Sequence, residues 1–368
     1  MTNIERTKGE YMRKLASVQE IASITPIPER DRIVLAQVCG WNVIVRKDEY
    51  AVGDRCVYVE IDSVLPEKPE FEFLRSKKFR IKTMKMGGCI SQGICFPLSI
   101  LPKDAKKYAV GDDVTEILGI TQYQPTMDTE PPEKTDRKHT TWWKRIWTSM
   151  TPKYRARGTS GFPNFISKTD ETRIQNAPQM LQDKEPYVAT EKIDGQSGTF
   201  ALLRHKSRIP FRKDRFEYIV CSRNMRLWEK DNSSYWAVSE RYRIEAALRN
   251  MIGDKEWIAI QGECIAPKVQ KNKYKVAEPD LYVFNLIAPN GRYGSLIAKS
   301  IIEQHGMKFV PIIEERYTLP DTVQETLEYA HGQSAIGETL REGIVFRSQD
   351  GKKSFKAVDP LFLMQYDE

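Results

Sequence analysis

The chain changes character at residue 121, and that break most constrains how it can fold. Before it, residues 10 to about 120 read as short β-rich runs separated by turns: 33–38, 42–46, 56–61 and 93–97. The pentapeptide Tyr-Ala-Val-Gly-Asp stands at 50–54 and again at 108–112, each time leading into a valine-containing strand. Glycine reaches positive φ and aspartate bonds back to its own backbone, so Gly-Asp makes a tight turn. One local solution thus serves two corners, which differs from a solenoid repeat. Many short strands in so short a stretch predict a small β-barrel. The preferred reading is an OB-type barrel over 1–120; the strands alone also fit an SH3-like barrel.

Beyond the break, Pro125, Pro131 and Pro132 sit among polar residues and mark a linker over 121–160. Its second half is basic and rich in tryptophan: Lys138, His139, Trp142, Trp143, Lys144, Arg145, Trp147, Lys153, Arg155 and Arg157. Such a segment can stack on bases and neutralise phosphates. It can equally form a short helix, around 141–150, that docks its indoles on a neighbouring domain; docking is favoured. From 161 to 368 strands alternate with helices. Strands are predicted at 187–190, 197–203, 217–221, 257–263, 281–287, 308–313 and 343–347. Helices are predicted from a Ser233 or Ser234 cap to about Asn250, from Leu296 to His305 with a stop at Gly306, and near 322–330. The pattern predicts an α+β domain with substantial antiparallel sheet. A chain of 368 residues fits this two-domain division.

Formal charge is +7, which permits a polyanionic partner without requiring one. No apolar run approaches a membrane span, and no apolar signal core follows Met-Thr-Asn-Ile-Glu-Arg. The six cysteines form no Cys-x-x-Cys pair, and the four histidines lie near none of them at zinc-ligand spacing. Reduced core thiols in a cytoplasmic, non-membrane protein are the expectation.

The chemistry centres on Lys192-Ile193-Asp194-Gly195, which follows the strand-like Tyr187-Val188-Ala189. Lys-x-Asp-Gly is weak by itself and also fits a surface turn with a solvated lysine. Its weight comes from the elements that follow in order: Ser222-Arg223-Asn224, Gly262-Glu263, an aromatic strand at 280–286, Glu342-Gly343 and Phe355-Lys356. A lysine nucleophile must be neutral, and its free pKa is about 10.4, so the site must favour the amine by several kcal/mol. Nearby positive charge does this, from a second lysine or a metal. Lys356 is the candidate second lysine, with a further role in holding the α-phosphate. Asp194, Glu263 and Glu342 stand at strand ends as hard oxygen ligands suited to Mg²⁺. The apolar flanks of Glu263 predict burial, and a buried carboxylate needs a partner. Arg223 can grip phosphate with two prongs. Tyr282 and Phe284 share a strand face, and Phe284 can stack on a purine or belong to the core.

At these residues the chain resembles the covalent nucleotidyltransferases: ATP-dependent DNA and RNA ligases and mRNA capping enzymes. The series from Lys192 to Lys356 is similar to their motifs I, Ia, III, IIIa, IV and V. DNA ligases and capping enzymes generally carry an OB domain after motif V, whereas here the barrel comes first. That layout resembles the Naegleria-type RNA ligases. The run Phe162-Pro163…Lys168-Thr169-Asp170-Glu171…Arg173…Gln175 is similar to the lead-in of that branch. The resemblance implies an adenylyltransferase domain over 161–368, with ATP and Mg²⁺ or Mn²⁺ as cofactors. It implies a lysyl-AMP at Lys192 and sealing of RNA ends, with nicked duplex RNA as substrate, by a monomer engaged in RNA repair. Catalysis falls to Lys192, Lys356 and Arg223. ATP binding falls to Lys192, Glu191, Arg173, Arg223, Glu263, Phe284 and Lys356, and metal binding to Asp194, Glu263 and Glu342.

The sequence departs from the family in two places. Many relatives have a lysine two positions before Lys356, where this chain has Ser354; Lys352 or Lys353 is the candidate substitute, although strand register points Lys353 to the face opposite Lys356. A basic insert runs from Arg204 to Arg215, as a hairpin over the site, an RNA contact or a solvated loop. Two rival functions remain: a DNA nick ligase, and a non-catalytic nucleic-acid binder on the same fold.

Overall fold

The computed structural model describes residues 14–102, 107–123, 160–207, 213–227 and 233–366. Residue contacts divide the chain into Met1–Pro125 with Leu363–Glu368, and Thr126–Phe362. The prolines at 125, 131 and 132, the Trp/Arg-rich stretch 138–157 and the centre of the 204–215 insert lie outside the described residues.

In the first unit five antiparallel strands lie in the order Trp41–Arg46, Ile33–Val38, Ala16–Pro26, Arg55–Val59, Ile94–Pro97. The eleven-residue strand Ala16–Pro26 carries the unit, although no turn pattern in the sequence singles it out. Its first half pairs with Arg55–Val59 and its second half with Ile33–Val38, and the register slips between Ile21 and Ser23. Such an irregularity bends a strand so that it serves two sheet segments, and an OB-type half-barrel results. Trp41, Tyr58, Phe71 and Ile21 fill its core.

Both Tyr-Ala-Val-Gly-Asp turns clamp this long strand. Gly53 donates its N–H to the Ile21 carbonyl at 2.9 Å, and Gly111 donates to the Val18 carbonyl at 2.7 Å. In each turn the aspartate accepts the N–H of the alanine three residues back, at 2.7 Å for Asp54 and 2.8 Å for Asp112. The two glycines have φ of +90° and +94°, a region that side chains avoid. The strand predicted at 56–61 ends instead at Val59, because the Glu60 N–H leaves the ladder for the Leu15 carbonyl.

The second unit holds two sheets. One is eight-stranded, with a path running Ser160–Gly161, Met225–Leu227, Arg215–Cys221, Gln196–His205, Trp257–Ile265, Asp280–Ala288, Gly291–Arg292. Lys308–Phe309 joins it in parallel beside Tyr282 and Val283. The other is four-stranded and antiparallel, in the order Ile312–Tyr317, Tyr187–Lys192, Gly343–Ser348, Ser354–Val358. The strand predicted at 308–313 is therefore two strands in two sheets. Pro311, which has no N–H to donate, stands at the crossing, and its carbonyl accepts from Glu191.

The helix predicted from Ser233 to Asn250 is also two, Ser234–Arg241 and Ile244–Met251. Arg243 between them adopts φ +47°, which breaks the helical ladder, and Ser233 makes no side-chain cap. Helix Ser295–Gln304 stops before Gly306 at φ +76°. Thr322 and Glu325 form a reciprocal capping box on Val323–Ala330. No helix among the described residues is long and apolar enough to cross a membrane.

Candidate active site

Strand Tyr187–Lys192 is buried along its length until Lys192, which emerges at its end. Lys192 pairs across the sheet with Gly343, so Glu342 arrives beside it. The Lys192 Nζ donates to Glu342 Oε2 at 2.6 Å, with the lysine side chain 24% exposed. The glycine is required here: a Cβ at Gly343 would lie 2.1 Å from the Ala357 carbonyl oxygen. Gly195 answers a similar constraint on the other sheet, since a Cβ there would meet the Cys264 carbonyl at 2.5 Å. That close approach lets the Gly195 N–H donate to Glu263 Oε1 at 3.1 Å. Glu263 is only partly buried, and this amide is the partner that its burial calls for.

Asp194 is held from two directions. Its carboxylate pairs with the Lys273 ammonium, and its backbone N–H donates to the Tyr274 hydroxyl at 2.9 Å. Neither residue is foreshadowed by a motif in the sequence. Burial, with Glu342 close by, pushes the Asp194 carboxyl up to about 6 against the pull of Lys273. Burial also pushes Glu263 up to about 8, with Lys192 opposing and Glu342 adding to it. For Lys192 burial favours the neutral amine, but Glu342, Glu263 and Asp194 outweigh it and hold the group above the ordinary lysine range. Without ligands the nucleophile is therefore cationic, and the help expected from Lys356 is overcome.

Three carboxylates thus face two lysines, Lys192 and Lys273. Two of the carboxyls are held above their ordinary range by burial and by their neighbours, and their hard oxygen donors fit a divalent cation. Among the described residues no three such groups converge into a preformed cage. That arrangement suits an ion that keeps most of its waters.

Lys356 lies on strand Ser354–Val358, beside Val345. Its Nζ donates to Asp170 Oδ1 at 2.9 Å, and Asp170 Oδ2 stands 3.4 Å from the Arg223 guanidinium. One carboxylate therefore gathers both cations expected to bind phosphate. Burial brings Lys356 down to about 8 against Asp170, and Arg173 and Lys192 press the same way as burial. Arg173 is buried and forms a parallel bridge with Lys356, whose N–H donates to the Thr172 carbonyl at 2.8 Å.

Glu191 faces a different neighbourhood, accepting from the Ser334 hydroxyl at 2.5 Å and the Ala335 N–H at 2.8 Å. Phe284 is partly buried against the core, with the Arg347 guanidinium 5.9 Å from its ring centre. Ser354 donates to Glu171 at 2.5 Å and accepts from Arg292 at 2.8 Å. Glu171 also meets Arg292 at 2.9 Å and Arg347 at 3.4 Å. Neither nearby lysine replaces the family's second one. Lys353 pairs with Asp183 and Lys352 with Asp350, both toward solvent.

An OB-fold domain model matches residues 15–98 and an RNA ligase model matches residues 185–358. Among solved structures, the chain is similar to a Naegleria gruberi RNA ligase variant with ATP and Mn, at 30% identity and TM-score 0.80, covering 97% of this chain and 100% of that one. The same N. gruberi enzyme with PPi matches at 31% identity and TM-score 0.78, covering 97% and 99%. A variant with AMP and Mn also matches at 31% and 0.78, covering 96% and 99%. No curated protein matches the chain.

Proposed function

The chain belongs to the RNA ligase family, and on that premise we propose how its residues divide the work of an ATP-dependent RNA ligase. It seals 3′-hydroxyl and 5′-phosphate RNA ends through a covalent lysyl-AMP. Lys192 attacks the α-phosphorus of ATP, the bond to the β-phosphate breaks and pyrophosphate leaves. The AMP passes to the RNA 5′-phosphate. The 3′-hydroxyl then attacks that phosphorus and releases AMP, closing the phosphodiester.

The observation that carries the assignment is Lys192 on Glu342 at 2.6 Å, with Glu263 and Asp194 near enough to act on its charge. Asp194, Glu263 and Glu342 would hold Mg²⁺ or Mn²⁺, which when bound offsets their charge and shields the phosphates. With that charge offset, the burial of Lys192 again favours the neutral amine. Lys356 and Arg223 leave Asp170 for the phosphates, where they stabilise the charge of the transition state. Arg173, bridged to Lys356, also contacts the ATP phosphates. Phe284 stacks on adenine, and Glu191 contributes through the Ser334 hydroxyl and Ala335 N–H that it holds.

We further assign nicked duplex RNA as the substrate, a monomer as the working form and RNA repair as the role. The six free thiols, four of them buried, support a reducing cytoplasmic setting. The experiment is incubation with ATP and Mg²⁺ after removal of bound AMP. Wild type gains one adenylate at Lys192 by peptide mass spectrometry, and Lys192→Ala gains none; an unmodified wild type defeats the reading. Sealing assays on nicked duplexes and single strands, with RNA or DNA at the 3′-hydroxyl end, test the substrate.

A further inference from the structure

Lys273 touches a carboxylate of the site, yet it has no part in the proposed reaction. Its side chain is 8% exposed and its ammonium is bound to Asp194. The same ammonium lies 4.6 Å from the centre of the Phe362 ring, itself 3% exposed. The loop that delivers it is strained. Gln270, Lys271, Asn272 and Lys275 have φ of +46°, +56°, +49° and +52°, a left-handed region costly for residues with side chains. The Asn272 side chain ties the loop by accepting from and donating to the backbone of Val276, at 2.9 and 3.0 Å. The next residue after Lys273, Tyr274, supplies the hydroxyl that accepts the Asp194 N–H. Two consecutive side chains of a strained loop therefore grip the carboxylate residue two positions beyond the nucleophile.

We propose that Lys273 is a built-in counter-cation: in the nucleotide-free enzyme it holds the Asp194 carboxylate, and it yields that carboxylate when a divalent metal ion binds. This rests on the assignment of Asp194 to the metal. An Asp194 oxygen paired with an ammonium is blocked as a metal contact, so lysine and metal compete for one group. The Phe362 ring gives the displaced ammonium a second favourable neighbour, because a cation over an aromatic face is attracted without a counter-ion. Lys273 is thus a positioning residue that sets how readily metal enters in the absence of nucleotide. An ordinary buried ion pair would stabilise the fold and leave metal affinity unchanged.

The test is Mn²⁺ binding to the nucleotide-free protein, followed by the electron paramagnetic resonance of free Mn²⁺. Lys273→Met is expected to bind Mn²⁺ at least about tenfold more tightly than wild type, because a cation competing for one ligand is gone. Lys273→Arg, which keeps the charge, stays near wild type. Asp194→Asn weakens binding, and in its presence Lys273→Met no longer changes the affinity. If Asp194→Asn weakens binding but Lys273→Met alone leaves it unchanged or weaker, the proposal is overturned and the metal assignment survives. If Asp194→Asn has no effect, the metal assignment itself fails and takes the proposal with it. Should Lys273→Met not fold by circular dichroism, wild type still decides. Acylation of Lys273 by an amine reagent, located by peptide mass spectrometry, must rise with Mn²⁺, and an unchanged yield overturns the proposal.

Discussion

Lys192 donates a 2.6 Å hydrogen bond to Glu342, so the nucleophile is held in an ion pair before nucleotide arrives. The pair explains how a partly buried lysine is tolerated, and it also sets a barrier, since only the neutral amine attacks phosphorus. Glu342 is the largest of the charges that hold the amine protonated. In Glu342→Gln the pH profile of lysyl-AMP formation should shift to lower pH, because a weaker hold lets the amine lose its proton sooner. The maximal rate should still fall about tenfold or more, because the same substitution removes a metal contact. Single-turnover adenylylation from about pH 6 to 10 checks both limbs; a profile unmoved along the pH axis would refute the electrostatic role.

Lys356 gives a second pH dependence, of opposite sense. Its amine titrates at about 8, and a phosphate needs it charged. Bound phosphate stabilises the ammonium, so ATP binding takes up a proton above pH 8 and affinity falls as pH rises, by up to about tenfold per unit. Below pH 8 the group is already charged and this contribution is flat. Calorimetry of ATP binding in the non-reacting Lys192→Met background, in buffers of differing ionisation enthalpy, measures the proton uptake. In Lys356→Arg, whose charge persists to high pH, the decline should disappear.

Glu171 neutralises two arginines at once. Burial would raise its carboxyl, but Arg347 and Arg292 overcome that and, with Ser354, hold it below the usual carboxylate range. Arg347 is 2% exposed, and burial brings even its guanidinium down to about 10. Removing the shared carboxylate leaves a buried, uncompensated charge, so Glu171→Ala should lose about 3 kcal/mol or more in urea unfolding. Adding Arg347→Met should recover part of that loss, since the stranded charge goes too. Equal losses in the single and double variants would show that Glu171 acts by packing alone.

The ordered series Lys192, Asp194, Arg223, Glu263, Glu342 and Lys356 is legible in the sequence because each residue sits in or beside a strand within a short local pattern. The paired Tyr-Ala-Val-Gly-Asp turns are legible for the same reason, as their geometry is set within five residues. Where local pattern misleads, a single backbone event is responsible: Pro311 sends one predicted strand into two sheets, and Arg243 splits one predicted helix. Strand Ala16–Pro26 is hard to read because it serves two partners and bends at a register slip, which blurs its alternation.

What the sequence alone determines is the inventory of this site, its order along the chain and the family to which it belongs. Which charge meets which is decided only in three dimensions. Lys273 reaches Asp194 across 79 residues, Asp170 reaches Lys356 across 186 and Glu171 reaches Ser354 across 183. The physical reason is that strand periodicity and turn chemistry act over a few neighbouring residues, whereas ion pairing and burial depend on distances that exist only once both sheets have formed.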